Sequence, residues 1–485
     1  MKKLLIVITG LFFVNYSFAQ WVSPGNGQTY TLESLCTAAP SAVQASTSGH
    51  YVISQNLTLS ANDMLTLESS AMSVVVNNGV TLTIIGCLQT ETRNQPLVFQ
   101  GDSTQNNYFE LRFEESSLSS LLNVHFRYCQ GIKLINSGMV IDSCEFDHFS
   151  NHVIGYINCH PVIRNCYFHD NQACAIQSAV NADGCPRILN NVFYNNVLAN
   201  TNNPQINIGP GTTDTIFIIG NRIEGVASTM SGGIGISNLS NPGVTHVLLK
   251  DNVITNNRYG YTQNGYRISA EIYDNQFIDN DLEVTPNNGG SGISIYGYDT
   301  TCAAKLRRNL ITGNLWGVTA IYYHHLDMGT AEDYGYNVLY NNGNGGVDYE
   351  LYNNANSNMD AVGNYWGYST ADSVENVIFH KPDNDSYGLV TYIPFCVSNP
   401  ESMQNNLLTK INLFPNPVTH GAVTLENPTE ENLNWKIFNI AGQCVMFGEA
   451  QPGTNRIATK GLKSGTYLVY IQKDNTFITR KLIVR

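Results

Sequence analysis

The stretch Leu249-Lys250-Asp251-Asn252-Val253-Ile254-Thr255-Asn256-Asn257 decides the fold. An apolar residue stands three places before an Asn, another two places after it, and a second Asn five places on. The Asn with a large apolar residue two places after it recurs at Asn191-Val192-Phe193, Asn221-Arg222-Ile223, Asn275-Gln276-Phe277, Asn309-Leu310-Ile311, Asn337-Val338-Leu339 and Asn364-Tyr365-Trp366. Successive differences of these Asn numbers are 30, 31, 23, 34, 28 and 27. Cys144-Glu145-Phe146 and Cys166-Tyr167-Phe168 continue the column upstream. An imprecise period of this length marks a solenoid whose turns share a corner and differ in their loops.

Ile141, Ile163, Ile188, Ile218, Leu249, Ile272 and Leu306 precede the corner, so one strand enters it pointing inward and the next leaves it likewise. Short β-branched and aromatic runs bounded by Asn, Asp and Gly are strand signals. Coiling them places equivalent positions about 4.8 Å apart, so each turn hydrogen-bonds to its neighbours as a parallel sheet. The fold class is therefore all-β, a parallel β-helix. Asn suits the corner because it tolerates the left-handed bend and its amide can form a ladder along the axis. Asn171, Asn196, Asn257, Asn280, Asn314 and Asn342 form a second such column.

The two ends read differently. Lys2 and Lys3, the apolar residues 4–14 and Ser17-Phe18-Ala19 make residues 1–19 a secretory signal peptide, cleaved between Ala19 and Gln20. No run in the chain reaches the length of a transmembrane helix. From about residue 409 the sequence changes character. Trp435-Lys436-Ile437-Phe438 and Gly465-Thr466-Tyr467-Leu468-Val469 are strands of a small antiparallel sandwich.

Leu413-Phe414-Pro415-Asn416-Pro417, Ala441-Gly442, Gly465-x-Tyr467 and Thr479-Arg480-Lys481-Leu482-Ile483-Val484 resemble the type A C-terminal sorting domain of the type IX secretion system. The resemblance implies passage through the periplasm, then across the outer membrane by way of residues 409–485 and the secretion machinery. The mature protein is expected to be secreted or held at the outer cell surface.

Residues 79–88 and 96–99 are similar to the opening rungs of secreted right-handed β-helices. Gly363-Asn364-Tyr365-Trp366-Gly367 with residues 388–395 is similar to the terminal rung and cap of pectin-lyase-like and copper-accessory-type β-helices. These resemblances imply a right-handed β-helix over residues 50–396. An N-terminal cap fills 20–49, with a short helix over 32–43 interrupted by Pro40, and a linker fills 397–408. The fold hosts enzymes, binders and structural proteins alike, so it does not settle activity.

Charge narrows the partners. The chain holds 25 Lys and Arg against 38 Asp and Glu. Residues 409–485 take nine basic and five acidic residues, leaving residues 20–408 with fourteen and thirty-three. So acidic a passenger is a poor partner for nucleic acid. Eleven Cys leave at least one unpaired. Cys159 and Cys185 fall on neighbouring rungs and are candidates for a disulfide; Cys144 and Cys166 are expected to stack as thiols, because parallel Cβ vectors suit a bridge poorly.

The polysaccharide hydrolases of this fold carry paired Asp on adjacent rungs, and its lyases carry Ca²⁺-binding acids with a basic residue. Neither signature is present. The remaining catalytic candidates are His325 and Asp327, which a strand would place on one face with Tyr323. Asp279-Asn280-Asp281 and Asp383-Asn384-Asp385 resemble fragments of Ca²⁺ loops but lack the Gly and distal Glu of a full loop, and turn chemistry explains them better; Ca²⁺ is the one cofactor they suggest, and no spacing indicates any other metal. Tyr259, Tyr261, Tyr296, Tyr298, Tyr322 and Tyr323 come from three successive rungs, where stacked phenols would offer a strip to an extracellular glycan. Three functions follow: a non-catalytic glycan-binding or adhesive passenger, a polysaccharide lyase or glycoside hydrolase on the same scaffold, or a structural surface protein.

Overall fold

A computed structural model describes residues 20–91, 94–102, 108–116, 118–179, 182–240, 242–400, 411–418, 421–439, 443–473 and 476–484. The expected signal peptide with Ala19, Ala441-Gly442 and residues 401–408 of the expected linker lie outside them. The chain divides into two compact units at His246/Val247.

In the first unit the chain winds through three parallel sheets. One sheet stacks Ile132, Ile154 and Ile176 inward, another Ile141, Ile163, Ile188 and Ile218. The third carries an aromatic spine, Phe99, Phe126, Phe146, Phe168 and Phe193, with successive centroids 5.5, 5.7, 4.7 and 4.9 Å apart. Each ring is essentially buried; such burial contributes about 1.5–3 kcal/mol per side chain, with a smaller stacking term.

The winding starts earlier than residue 50. Gln20–Val22 pairs in parallel with Asn56–Leu59, and Thr29–Thr31 with Met64–Leu67. The short helix is Leu32–Ala38; it ends before Pro40, as a chain short of a proline tends to. Thr31 and Ser34 form a capping box at its start, and Leu32 and Leu35 are buried. Val43–Thr47 runs antiparallel to His50–Ile53. That hairpin occupies an edge that would otherwise be bare.

The second unit begins with the same winding. Ile254, Phe277, Ile311 and Leu339 stack inward in register. At the corners the backbone differs from expectation. The left-handed residue is the one before each column Asn: Asp251 (φ 57°), Asp274 (59°), Arg308 (56°) and Tyr336 (50°). The column Asn residues themselves are not in that region. Their side chains are thereby turned inward, out of solvent, to hydrogen-bond along the axis.

The ladder is continuous across five rungs. Asn252, Asn275, Asn309 and Asn337 each donate a backbone N–H and a side-chain amide to Oδ1 of the next Asn, at 2.8–3.0 Å, ending on Asn364. Asn257, Asn280 and Asn314 repeat this toward Asn342 at 2.8–3.2 Å. In the first unit Asn191 donates to Asn221 in the same way, at 2.9 and 3.0 Å.

Residues from Ile411 onward form antiparallel sheets. Asn412–Phe414, Ala422–Asn427 and Gly453–Ala458 make one; Cys444–Ala450, Leu433–Phe438, Gly465–Lys473 and Thr476–Val484 make the other. Val423, Leu425, Trp435, Ile437, Val469, Ile471 and Leu482 fill the space between them. Asn416 clamps the last strand, donating to Lys481 O at 2.6 Å and accepting from the Ile483 N–H at 2.9 Å.

Both Cys159 and Cys185 are free thiols. The expected bridge does not form because the two side chains face opposite rungs. Cys159 Sγ reaches back toward Leu134 O (3.7 Å), and Cys185 Sγ forward to Asp214 O (3.1 Å). Cys144 and Cys166 are also free and buried. Burial, and then the neighbouring Cys144, push the Cys166 thiol far up.

Candidate functional site

The tyrosines predicted as one strip separate into three environments. Tyr261 is fully buried: its hydroxyl donates to Gln263 Oε1 at 3.1 Å, and it stacks on Ile293 of the next rung. The expectation for this residue is corrected by the bend at Gly260, where a Cβ would meet Gly292 O at 2.4 Å. The strand starts only at Tyr261, so Tyr259 and Tyr261 do not share a face despite their spacing.

Tyr296, Tyr298 and Tyr322 do meet. Their rings lie edge to face, Tyr296 to Tyr298 at 5.6 Å and Tyr296 to Tyr322 at 5.1 Å, and Tyr266 joins Tyr298 at 5.1 Å. Burial and the Tyr322 hydroxyl push the Tyr296 phenol up to about 12. Tyr323 is exposed beyond the strand end.

Tyr259 and Tyr296 line a cleft of about 380 Å³ with Trp316, Tyr352, Ser294 and Asn354. Its floor is the outward face of one parallel sheet. Thr262, Ser294, Thr319 and Tyr352 stack in one column, and Asn264, Tyr296, Ile321 and Asn354 in the next. Small hydroxyl residues keep the floor low between aromatic walls. On one side Trp316 packs on Tyr349 and Tyr352 at 4.7 and 5.1 Å, and Tyr352 stacks on Phe379 at 4.6 Å.

Beside Trp316 the lining continues into the short turn Pro286–Asn288, which is fastened rather than loose. Trp316 Nε1 donates to Pro286 O at 2.9 Å. Arg258 donates to Asn288 O at 2.7 Å and to Glu283 at 2.6 Å. Burial opposes ionisation of Glu283, but the Thr285 N–H and Arg258 hold its carboxyl below the usual range. Trp316 and Tyr352 escape sequence reading because neither belongs to a recurring spacing; only the register brings them together.

His325 and Asp327 both point outward from the strand His325–Asp327. Asp327 gives its two oxygens to Arg307, at 2.9 and 2.8 Å, which commits it to an ion pair. The neighbouring His324 is the buried one: its Nε2 lies 3.3 Å from Asn353 Oδ1, and burial lowers its pKa. Asp279 and Asp383 sit in turns; Asp279 is left-handed, and Asp383 accepts the His380 N–H at 3.0 Å. No spacing in the sequence indicates a metal site, but among the described residues the fold gathers one candidate cluster. His125, Glu145 and Asp147 bring their ligand atoms within 4.8 Å of one another. They come from two rungs, so no local motif announces them.

Residues 412–485 match the family described as the secretion system C-terminal sorting domain. The tail is a type IX secretion sorting domain. The protein is thus exported across the outer membrane, to the surface or beyond it. Among the described residues no helix is long and apolar enough to cross a membrane. Residues 263–371, which include most of the cleft, match a family described as a protein of unknown function, DUF1565. No curated protein matches the chain by sequence. Among solved structures, the periplasmic alginate epimerase AlgG is similar at 13% identity and a TM-score of 0.46, covering 75% of this chain and 83% of its own. A double mutant of AlgG gives 13%, 0.47, 75% and 84%.

Proposed function

We propose that the exported β-helix is a glycan-binding passenger that holds its ligand in the cleft between Trp316 and Tyr296 without turning it over. The observation that carries this reading is the convergence of Tyr259, Tyr296, Trp316 and Tyr352 on one polar-floored cleft. An aromatic ring offers a flat apolar face to a sugar ring, while Tyr and Trp keep a polar handle for its hydroxyls. Ser294, Thr262, Thr319 and Asn354 supply further donors and acceptors. Such a mostly apolar concavity with a few placed polar groups is how proteins ordinarily bind small ligands. An uncharged lining favours a neutral or weakly charged saccharide, and the acidic passenger disfavours a polyanionic one.

The test is binding of the purified full chain to a glycan array. Trp316→Ala with Tyr352→Ala should abolish the signal, and Tyr323→Ala, outside the cleft, should leave it intact. Equal binding by all three proteins would remove the cleft from consideration. Release of reducing ends or unsaturated sugars from any bound glycan would replace the binding reading with an enzymatic one.

A further inference from the structure

His125, Glu145, Asp147 and His169 lie on the outward face of the first unit's sheet that carries the aromatic spine, remote in sequence from the cleft. Register sets them on a grid. His125 pairs across the rung with Glu145, and Arg127 with Asp147, which in turn pairs with His169. The side chains then cross diagonally, as long residues on adjacent strands can. His125 Nε2 reaches Asp147 Oδ2 at 2.5 Å, and His169 Nε2 reaches Glu145 Oε1 at 3.0 Å. The two pairs approach one another where His125 Nε2 lies 3.7 Å from Glu145 Oε1.

We infer that this grid is a binding site for one divalent transition-metal ion of the zinc class, held by His125, Glu145 and Asp147 with His169 as fourth ligand. Tetrahedral zinc with bonds near 2.0–2.1 Å places its ligand atoms roughly 3.4 Å apart. The 3.7 Å from His125 to Glu145 is near that value and the 2.5 Å contact has only to open, whereas His169, outside the group whose ligand atoms lie within 4.8 Å of one another, has to swing inward from Glu145. Two imidazoles with two carboxylates select zinc, nickel or copper over calcium or magnesium, which take oxygen.

The surroundings are those of oriented ligands. His169 Nδ1 lies 2.8 Å from Asp170 Oδ2, which fixes which nitrogen faces the site. Asp147 is buried, and its Oδ1 is 2.5 Å from His148 Nδ1. Both its oxygens also take Arg127 Nε at 3.0 Å. Arg127 is a cation placed against the site, and it should weaken rather than make it. His125 and His169 are mostly covered, whereas Glu145 is 41% exposed, which leaves an entry path. Bound metal would staple three consecutive rungs through their side chains.

The experiment uses the purified full chain without a histidine tag, stripped by chelator and titrated with Zn²⁺ in a calorimeter. One ion per chain is expected, with no displacement by millimolar Ca²⁺. His125→Ala with Glu145→Gln should weaken binding at least tenfold, and Arg127→Gln should strengthen it. Arg127→Gln guards against misreading a folding defect, because a gain of affinity cannot come from a damaged protein. No stoichiometric zinc, or zinc binding equal in His125→Ala/Glu145→Gln and the parent, would overturn the assignment.

Discussion

Asn342 donates its backbone N–H to Glu350 Oε1 at 3.2 Å and its side-chain amide to Glu350 Oε2 at 2.5 Å, so a carboxyl ends the second Asn ladder. Burial pushes that carboxyl up from about 4.5 to about 8, although both Asn342 hydrogen bonds oppose the shift. The folded state therefore holds a proton the unfolded state has lost. Its contribution is fully present below pH 4.5, shrinks as pH rises, and is gone above about pH 8. Glu350→Gln should remove this slope. A single Gln oxygen can accept both Asn342 donors, as Asn342 Oδ1 already does for Asn314. Urea midpoints at pH 5, 7 and 9 test this: the variant should gain about 2–4 kcal/mol over the parent at pH 9 and little at pH 5. Parallel pH curves would refute it.

Breaking the ladder in mid-run should cost more than a surface change can. Asn275→Ala takes the acceptor from the Asn252 backbone N–H and the donor from Leu249 O, all buried. The expected loss is about 2–4 kcal/mol, since a buried polar group deprived of its partner costs its full desolvation. Asn275→Asp should be worse at neutral pH, because a carboxylate would face Leu249 O, Tyr273 O and Asn309 Oδ1, all acceptors. Acidification should rescue it in part. Urea titration of both variants at pH 4.5 and 7.5 decides the matter; losses below about 0.5 kcal/mol would mean that the ladder is ornamental.

The left-handed corner at Tyr336 offers the opposite experiment. A side chain at φ 50° is strained by about 1–2 kcal/mol, and the ring is 46% exposed, touching Tyr334 at a centroid distance of 5.8 Å. Tyr336→Gly should therefore raise stability by about 0.5–1 kcal/mol. Arg308→Gly, at φ 56°, should not, because Arg308 holds Asp274 with bonds of 2.6 and 2.9 Å. Equal responses at the two corners would show that the backbone, and not the side-chain bonds, sets the balance.

The contrast between these residues also explains what the sequence could disclose. A corner Asn is legible because the same amide must recur on every rung to satisfy the last one. The residue before it is not, since Asp, Arg, Tyr and Gly all occupy that left-handed position. Alternation misplaced Tyr261 because it assumes an unbroken strand, and the chain bends at Gly260. Trp316 with Tyr352, and His125 with Asp147, are products of register across loops of unequal length. No window of sequence contains both partners in a fixed relation. The sorting domain was legible for the opposite reason: its motifs are short runs of adjacent residues, such as the one holding Asn416, whose side chain clamps Lys481 and Ile483.

The cleft wall provides the sharpest separation of stability from binding. Arg258 and Glu283 form an ion pair with side chains only 11% and 5% exposed, and Arg258 also fastens Asn288 O. Arg258→Ala leaves Glu283 without that charge partner in a dry environment, which typically costs about 3–5 kcal/mol. The cost should be met locally, by detachment of residues 284–289, visible as faster amide exchange there with the rungs unchanged. Glycan affinity should fall at least tenfold. Arg258→Met with Glu283→Gln removes the stranded charge, so it should recover most of the lost stability. It cannot recover the bond to Asn288 O, and the wall stays loose. Restored stability with affinity still low would place the wall in recognition; full recovery of both would reduce Arg258 to a neutraliser of Glu283.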